Sequence, residues 1–425
     1  MKNYLQTAVL VLCLLETSLC RGADWPQFRG PNRDGKSAET GLLQEWPEGG
    51  PKLLWSVGGI GIGFSSVAVA DGYVYTTGMV GNAKEGMVFA FDLEGNPKWK
   101  ESYGADWKGP HEGTRTTPTI DGDRAYVFSA YGNLVCFDAR TGNEKWAADT
   151  VERFKAKNLT WGLSESVLIF DNKVICTPGG ENATMVALDK MRGRTIWTTE
   201  GLSEKAAYCS PVVIERGGKK LILTNVEKSI VFIDPDDGNV FYRIPHEKRH
   251  DLAAVSPVYY KDGLVYVTTG YAREDFPVRG MMFELSADTT SHTLKWTEPK
   301  LDCHHGGLVL LGGDVHGTNS AIYGPASKEK DKGMWYCLEL ATGKIKYEGK
   351  LVGKGSVIYA DGHLYCYGEN GKVGLVKATP SGYEMVSSFE APEGSGPHWA
   401  HPAISDGRLY IRHGDALMVY DIKQR

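Results

Sequence analysis

The chain has 425 residues, of which 11% are aromatic and 23% are charged, a composition typical of globular proteins. Its formal net charge at pH 7 is −5, which argues against the strongly basic surface that nucleic-acid binding requires. No run of Lys and Arg marks a membrane-surface helix, so neither nucleic acid nor a membrane surface is expected as a partner.

The N-terminus has the features of a secretory signal peptide. One lysine precedes the apolar run Thr7–Leu15, and the small residues Gly22 and Ala23 follow it. The run has too few residues to span a bilayer, so no transmembrane segment is expected. The sequence therefore predicts a signal peptide at residues 1–22 and a periplasmic or extracellular protein with a single domain at residues 23–425.

From residue 65 onward the chain repeats one pattern of short, alternating apolar segments. The first part is a hairpin such as "VAVADGYVYTTG", in which Gly supplies the positive φ that the Asp-Gly turn requires. The second part is a hairpin with Asp, a Gly turn and then Trp, as in "VFAFDLEGNPKW". Trp99, Trp146 and Trp197 are 47 and 51 positions apart, a period that indicates a β-propeller with four antiparallel strands per blade.

Eight such units follow one another along the chain. They cover residues 65–101, 116–149, 163–200, 209–246, 255–299, 301–350, 355–390 and 400–425. The last unit stops before its outermost strand, whereas "GGPKLLWSV", upstream of the first unit, has Trp55 in the tryptophan position. We therefore expect an all-β, eight-bladed β-propeller in which this N-terminal strand completes the last blade and closes the ring.

The tryptophan-containing segments resemble the pyrroloquinoline quinone (PQQ)-type propeller repeat. "ADWPQFRGPNRDG" (Ala23–Gly35) also resembles the opening of exported propellers of this type, and the resemblance covers nearly all of the chain after residue 22. It implies that each tryptophan docks one blade on the next, with its indole N–H donating to a backbone carbonyl. It says little about function, because the family contains both quinone dehydrogenases and non-catalytic proteins.

The segments that lead into the innermost strand of each blade are expected to surround one mouth of the axial channel. In a propeller these segments and the loops between the second and third strands emerge on the same face. Nine of the eleven histidines fall there, and only His292 and His363 belong to the other face. "LDCHHGG" (Leu301–Gly307) places His304 and His305 where sister segments have small residues. We therefore expect a functional site at this mouth.

The chemistry of the side chains suggests their roles. The catalytic candidates, which supply acid–base or cationic groups, are Arg115, Glu112, Glu165, His305 and His401. The substrate-binding candidates, which supply aromatic faces and hydrogen bonds, are His111, Trp161, Tyr208, Arg273, His398 and Trp399. The candidate ligands of a divalent metal are His304, His305 and His401. A purely structural role is the alternative for each: a glutamate can pair with an arginine, and a tryptophan can wall the channel.

Such a set around a concave mouth fits a protein that binds a polar small molecule, and a saccharide is the class we expect. Whether it also acts on that ligand stays open. A lyase would use Arg with His or Tyr, and a hydrolase would use two carboxylates about 5–9 Å apart. The alternative is a non-catalytic envelope scaffold, similar to the propeller lipoprotein of outer-membrane assembly, whose rim loops dock a protein partner.

A third possibility, a quinone-dependent dehydrogenase, is disfavoured by the sequence. The resemblance implies that such an enzyme would need PQQ in the channel, Ca²⁺ held by oxygen ligands and a carboxylate base. It also implies adjacent cysteines over the quinone. The chain contains no Cys-Cys pair and no CxxCH for haem attachment. We therefore do not expect PQQ as the cofactor, and a divalent metal is the only cofactor that we consider.

Overall fold

The structure is a computed structural model. It describes residues 23–82, 84–181, 183–246, 253–268, 270, 278–312, 320–326, 332–379 and 381–425. The predicted signal peptide at residues 1–22 lies outside the described residues. Within the described part of the chain, no helix has the length and apolarity needed to cross a membrane.

Eight sheets, each of four antiparallel strands, make up the molecule, and the prediction of an eight-bladed all-β propeller is confirmed. The first strand of the chain, β1 (Lys52–Val57), belongs to the last blade. Blade 1 contains β2 (Ala68–Ala70), β3 (Tyr73–Val80), β4 (Glu85–Asp92) and β5 (Pro97–Ala105). Blade 2 contains β6 (Thr119–Asp121), β7 (Arg124–Phe128), β8 (Asn133–Asp138) and β9 (Glu144–Asp149), followed by the short helix α1 (Thr150–Phe154).

The next three blades have the same order of strands. Blade 3 contains β10 (Leu168–Phe170), β11 (Lys173–Cys176), β12 (Val186–Asp189) and β13 (Thr195–Thr198). Blade 4 contains β14 (Val212–Arg216), β15 (Lys219–Asn225), β16 (Ser229–Ile233) and β17 (Val240–Pro245). Blade 5 contains β18 (Val258–Tyr260), β19 (Leu264–Thr268), β20 (Gly280–Leu285) and β21 (His292–Glu298), with a 3₁₀ turn at Lys261–Gly263.

The last three blades complete the ring. Blade 6 contains β22 (Val309–Leu311), β23 (Ala321–Pro325), β24 (Met334–Glu339) and β25 (Ile345–Lys350). Blade 7 contains β26 (Gly355–Ala360), β27 (His363–Gly368), β28 (Lys372–Thr379) and β29 (Gly382–Glu390). Blade 8 contains β30 (Ala403–Ser405), β31 (Arg408–His413), β32 (Ala416–Asp421) and β1, which pairs antiparallel with β32. The predicted closure by an N-terminal strand is therefore confirmed.

The repeat residues dock neighbouring blades as expected. Each docking indole Nε1 donates to a backbone carbonyl of the next blade at 2.8–3.0 Å, and this holds for Trp55, Trp99, Trp146, Trp197 and Trp296. The turn glycine of the next blade lies against the ring. Gly193 has a φ of +68°, and a Cβ there would lie 2.6 Å from the Trp146 ring. Gly is therefore required for both the turn conformation and the close approach.

A belt of hydroxyl side chains joins the inner strands of neighbouring blades. The backbone N–H of Ser66 donates to Thr117 Oγ1 at 3.1 Å, that of Thr117 to Ser166 Oγ at 3.0 Å, and that of Ser166 to Ser210 Oγ at 2.9 Å. Each of these residues stands two positions before the inner strand of its blade. His401 has the same position in blade 8, and its carbonyl accepts from Ser66 Oγ at 2.7 Å.

Residues 23–37 lie inside the channel and connect the blades there; we call them the plug segment. The backbone of Trp25 pairs with Val69 in blade 1, and the carbonyl of Pro26 accepts from the N–H of Ile120 in blade 2. The N–H of Ser37 donates to a carbonyl of blade 7 at 2.8 Å. The role of this segment was not predicted from the sequence.

Two arginines of the plug segment reach opposite sides of the channel. Arg33 donates to the carbonyls of Ser166 and Val167 in blade 3 and of Pro211 in blade 4. Arg29 donates to two equivalent carbonyls of blades 6 and 7. Both arginines are buried, and both have positive φ angles, 63° for Arg29 and 56° for Arg33. Their hydrogen bonds offset the cost of these left-handed conformations.

Candidate functional site

A cavity of about 430 Å³ opens at the predicted channel mouth, and we call it the cup. Eight of the predicted site residues line it, namely His111, Arg115, Trp161, Tyr208, His304, His305, Trp399 and His401. The structure therefore brings together side chains that are almost 300 positions apart in the sequence, because each precedes the innermost strand of its blade. Their catalytic, binding or metal-ligating roles stay predictions.

Six further residues line the cup and were not predicted, namely Phe28, Phe64, Ser164, Ser166, Ser210 and Ala254. The serines belong to the hydroxyl belt or adjoin it, and the Ser-Pro of "CSPVVIERGG" is the signal in the sequence that could have identified that position. Phe28 belongs to the plug segment. Its place in the channel could not be deduced, because the segment lies outside the repeat.

The two predicted carboxylates do not line the cup. Glu112 forms a partly exposed ion pair with Lys84 at 2.7 Å, so it has the structural role of a surface ion pair, with Lys84 rather than Arg115 as its partner. Glu165 lies between the cup residues Ser164 and Ser166 but is itself buried. Successive side chains of an extended segment point to opposite sides, which turns Glu165 away from the cavity.

Burial raises the pKa of Glu165 to about 8, and hydrogen bonding from Thr177 and the charge of Arg33 only partly offset that effect. Its carboxyl group is therefore protonated over much of the neutral range. A raised carboxyl pKa suits a general acid, but Glu165 is separated from the cup by the chain that carries it.

His398 and Arg273 are the remaining substrate-binding candidates. His398 is not among the cup residues: its ring stacks on His413 with centroids 3.5 Å apart, and its Nδ1 lies 2.6 Å from the hydroxyl of Tyr367. Burial, followed by the neighbouring His413, lowers the pKa of His398 to about 4. Arg273 lies outside the described residues.

Arg115 is the cationic group of the cup. Its guanidinium donates to the carbonyls of Gly113 at 2.6 Å and His111 at 2.8 Å, and lies 5.7 Å and 5.6 Å from the ring centres of Phe64 and Trp107. Burial lowers the pKa of Arg115 to about 10, so it stays charged at neutral pH. Among the described residues it makes no ion pair within 4 Å, and the carboxyl of Asp106 favours its charged form from farther away, so an anionic ligand would meet a cation that is only partly compensated.

His401 forms part of the floor of the cup and is hydrogen-bonded on both ring nitrogens. Arg29 Nη1 lies 3.3 Å from His401 Nδ1, and His401 Nε2 lies 2.6 Å from the carbonyl of His305. Because a guanidinium only donates and a carbonyl only accepts, Nδ1 is the acceptor and Nε2 carries the proton. Burial and the charge of Arg29 lower the pKa of His401 to about 3. His401 is thus a neutral imidazole with no lone pair left for a metal.

His304 and His305 stand beside a partly buried lysine–glutamate pair. Lys354 Nζ lies 2.7 Å from Glu369 Oε1 and 3.4 Å from His304 Nδ1, while His305 Nε2 lies 3.5 Å from the same Glu369 oxygen. Burial first, then the charge of Lys354, lowers the pKa of His304 to about 4 and that of His305 well below its usual value. Both histidines are therefore neutral at pH 7.

The geometry does not form a metal site from the predicted ligands. Across the described ranges, no three His, Cys, Asp or Glu side chains are placed so that they could hold one ion. For the predicted ligands the physical reason is that both ring nitrogens of His401 are hydrogen-bonded. A metal would have to displace either Arg29 or the carbonyl of His305 from this ring.

Aromatic rings form the wall of the cup. The Trp399 ring lies 4.8 Å from Phe64, 5.0 Å from His111 and 5.7 Å from His305, measured between centroids. On the floor, Phe28 makes an edge contact with His401 at 4.9 Å. These rings offer flat apolar faces beside the charge of Arg115.

No aspartate or glutamate is found among the described residues that line the cup. Arg115 is the charged side chain of the described lining, and the buried guanidinium groups of Arg29 and Arg33 in the plug segment donate to backbone carbonyls. The cup therefore has a positive, partly aromatic interior. Carboxylate ligands for Ca²⁺ and a carboxylate base are both absent from the described lining, so these residues do not fit a quinone cofactor with its metal.

Comparisons with known proteins agree with the fold. The family model described as outer membrane protein assembly factor BamB matches residues 84–348. The outer membrane protein assembly factor BamB of Kangiella koreensis is 25% identical over 213 residues, which cover 49% of this chain and 48% of that protein. The quinoprotein alcohol dehydrogenase PedH of Pseudomonas putida is 23% identical over 177 residues, which cover 39% of this chain and 27% of that protein.

A solved structure extends the likeness to almost the whole chain. The quinohemoprotein alcohol dehydrogenase of Comamonas testosteroni has a TM-score of 0.66 and 14% sequence identity, with 95% of this chain and 81% of that chain covered. At this identity the likeness concerns the fold alone. The curated relatives are matched over no more than about half of their own length, 48% and 27%, so their activities do not transfer directly.

Proposed function

This chain belongs to the family whose model is described as outer membrane protein assembly factor BamB. For this member of the family, we propose that the cup binds a small ring-bearing carboxylic acid, with an acidic sugar as the expected class. The observation that carries the proposal is Arg115, a half-buried cation without a described ion-pair partner in a lining that has no described carboxylate. An anion that enters the cup gains this interaction and meets no like charge.

The walls support a ring-shaped ligand. Trp399 and Phe64 stand on the same side of the cavity as the guanidinium of Arg115, which itself lies 5.7 Å from the Phe64 ring. A ring bound through its carboxylate at Arg115 would therefore lie against an aromatic face. The hydroxyl groups of Ser164, Ser166 and Ser210 offer further polar contacts, as a saccharide requires.

Of the two reactions considered from the sequence, the lining favours a lyase over a hydrolase. A hydrolase needs two carboxylates at the bond, and both Glu112 and Glu165 lie outside the lining. In a lyase, Arg115 would neutralise the carboxylate of a uronate, and neutral His305 would take the proton from the adjacent carbon. A C=C bond would form as the C–O bond to the leaving sugar breaks, and the leaving oxygen would take a proton from water. Glu369 stands 3.5 Å from His305 Nε2, where it would stabilise the resulting imidazolium.

Ligand titration of the mature protein tests the proposal. Galacturonate should bind and raise the melting temperature, and galactose, which lacks the acid, should bind at least about tenfold more weakly because it loses the charge-assisted hydrogen bonds. Benzoate separates a sugar site from a site for any ring-bearing acid. Equal affinity for galacturonate and galactose would refute anion recognition.

Two variants locate the site. Arg115→Gln should weaken the binding of galacturonate by about tenfold or more, the loss expected for one buried charged contact. Lys84→Gln is the matched control, since Lys84 is a cation of the same rim that is paired with Glu112 outside the cup. An equal loss in both variants would show a general effect of charge rather than a site at Arg115. Ultraviolet absorbance of an unsaturated product from polygalacturonate would report lyase turnover.

A second candidate function is the docking of a protein on the rim, which family membership favours. Trp107 and Tyr131 form an aromatic pair on that face with centroids 5.8 Å apart, and Tyr131 is 38% exposed. If a partner docks there, Tyr131→Ala should abolish its co-purification from envelope extract and leave galacturonate binding unchanged. Retention of the partner by this variant would contradict docking at this pair. Export to the cell envelope, on which this function depends, stays a prediction from residues 1–22.

A further inference from the structure

A second cavity of about 200 Å³ lies deeper in the channel, next to the cup. The two cavities share four lining residues: Phe28, Ala254, His305 and His401. The inner strands of blades 4, 5 and 6 form one side of this inner cavity, and the plug segment forms the other. The inner cavity therefore continues the channel beyond the cup, and the four shared residues lie between the two cavities.

The path of the plug segment explains why space remains there. Its described hydrogen bonds reach blades 1, 2, 3, 4, 6, 7 and 8, the last through Ser405 Oγ and the carbonyl of Ala23. Between the described residues of the segment and the inner strand of blade 5 no hydrogen bond is formed. The segment thus crosses the channel on one side and leaves a gap along blade 5.

Phe28 is the side chain that divides this gap from the cup. Ala254 is small, while His305 and His401 are joined to each other by a hydrogen bond of 2.6 Å and to the blades that carry them. Phe28 projects from the plug segment, is only half-buried, and touches His401 through a ring contact at 4.9 Å. Of the four shared residues it alone is large and apolar, with no hydrogen-bonding group to hold it in place.

We propose that Phe28 determines the depth of the cup and so restricts the ligand to a single ring, a specificity that rests on the proposed function. The inner cavity has a mixed lining that would accept a second ring. Leu308 and Leu310 give it an apolar wall, Arg29 gives it a cationic group, and Lys36 forms an ion pair with Asp34, which also lines the cavity. A smaller side chain at position 28 would join the two cavities, so that a longer ligand bound at Arg115 would extend past this position into the inner cavity.

Four probes that differ in length and charge test this. Benzoate and benzyl alcohol have one ring; biphenyl-4-carboxylate and biphenyl-4-methanol have two. We expect Phe28→Ala to raise the affinity for the two-ring acid by at least about tenfold relative to the one-ring acid, because the added ring becomes buried. Phe28→Leu, which keeps more of the side chain, should give a smaller gain in the same direction and covers the case in which the alanine variant folds poorly.

Phe64→Ala is the matched control, since Phe64 is a phenylalanine of the wall that does not line the inner cavity. It should weaken one-ring and two-ring probes alike. The alcohols separate the two proposals. If the acids bind the wild type no more tightly than the alcohols, anion recognition is refuted. A higher affinity of Phe28→Ala for the two-ring alcohol would still report the depth of the cup. Unchanged preference for one ring in both Phe28 variants would overturn the role of Phe28.

Discussion

Arg29 of the plug segment donates to Nδ1 of His401 at 3.3 Å, and this contact joins the N-terminal part of the chain to the floor of the cup. It decides the chemical state of the histidine, since the guanidinium occupies the lone pair of Nδ1 and leaves the proton on Nε2. The predicted metal ligand His401 is for this reason a neutral hydrogen-bonding group that supports its neighbour His305 through the carbonyl.

Replacing Arg29 by Gln should raise the pKa of His401. Burial is the larger cause of the low value of about 3, and the positive charge of Arg29 is the second, so the variant removes only the second cause. Titration of the histidine ring signals by NMR measures the change. His398, whose pKa is lowered by burial and by His413, is the internal control and should not move. A wild-type His401 that is protonated at pH 6 would contradict the assigned contact.

Replacing Arg33 by Ala should lower the free energy of unfolding by about 2–4 kcal/mol, because the buried carbonyls of Ser166 and Pro211 lose a donor and that of Val167 keeps only Thr119 Oγ1. Urea denaturation measures the loss. Arg192→Ala is the control: Arg192 is exposed, and its replacement should change stability by less than about 0.5 kcal/mol. Equal stability of the two variants would show that the plug segment does not hold the blades together.

Replacing Gly193 by Ala should destabilise the fold more than the same change at Gly201. The two glycines have nearly equal φ angles of +68° and +70°, so the strain of a left-handed alanine is common to both. Only Gly193 faces a docking ring, with the new Cβ 2.6 Å from Trp146, whereas nothing lies within 4 Å of a Cβ at Gly201. Overpacking should add about 1–3 kcal/mol at Gly193 in thermal or urea unfolding. Equal losses would mean that the turn conformation alone requires glycine.

Replacing Glu165 by Gln should stabilise the protein at pH 8 but not at pH 5. The folded-state pKa of about 8 lies above the unfolded value near 4.3, so the protonated carboxyl stabilises the fold at low pH, and this contribution is lost as the pH rises through about 8. Gln lacks the ionisation, and its advantage should grow by about 1–3 kcal/mol between pH 5 and pH 8. Urea denaturation at both pH values measures it. A stability difference between Glu165→Gln and the wild type that does not change with pH would contradict the burial of Glu165 as a neutral acid.

The fold could be predicted almost completely from the sequence. Local rules define each blade through the Asp-Gly turns and through the spacing of Trp99, Trp146 and Trp197. Few residue types fit a turn that requires positive φ or a position packed against a docking tryptophan ring. In the structure Asp71 and Gly72 have φ angles of 51° and 83°, as the hairpin signal required. The position of Trp55 likewise predicted the closing strand, because a blade without its fourth strand would leave an open edge.

The site could be predicted only in part. The repeat placed His304, His305 and Trp399 at one mouth of the channel, since their positions before the inner strand follow from the blade pattern. It did not show which way each side chain points within these irregular segments. Glu165 alternates with the cup residues Ser164 and Ser166, and its side chain is buried on the side away from the cup. Glu112 forms an ion pair with Lys84, a residue of the preceding blade.

The ring follows from local rules in the sequence, which specify eight units, their turns and docking residues, and the mouth at which the histidines are expected. What fills the ring follows from contacts that form only in the folded chain. The plug segment has no counterpart in the repeat. Its place depends on hydrogen-bonding groups of seven different blades: carbonyls of blades 1, 3, 4, 6 and 7, an N–H of blade 2 and a hydroxyl of blade 8, which exist as a set only after the ring has closed. Local rules act between residues close in sequence, whereas these buried guanidinium contacts join positions 133 to 328 residues apart, for which the sequence has no periodic signal.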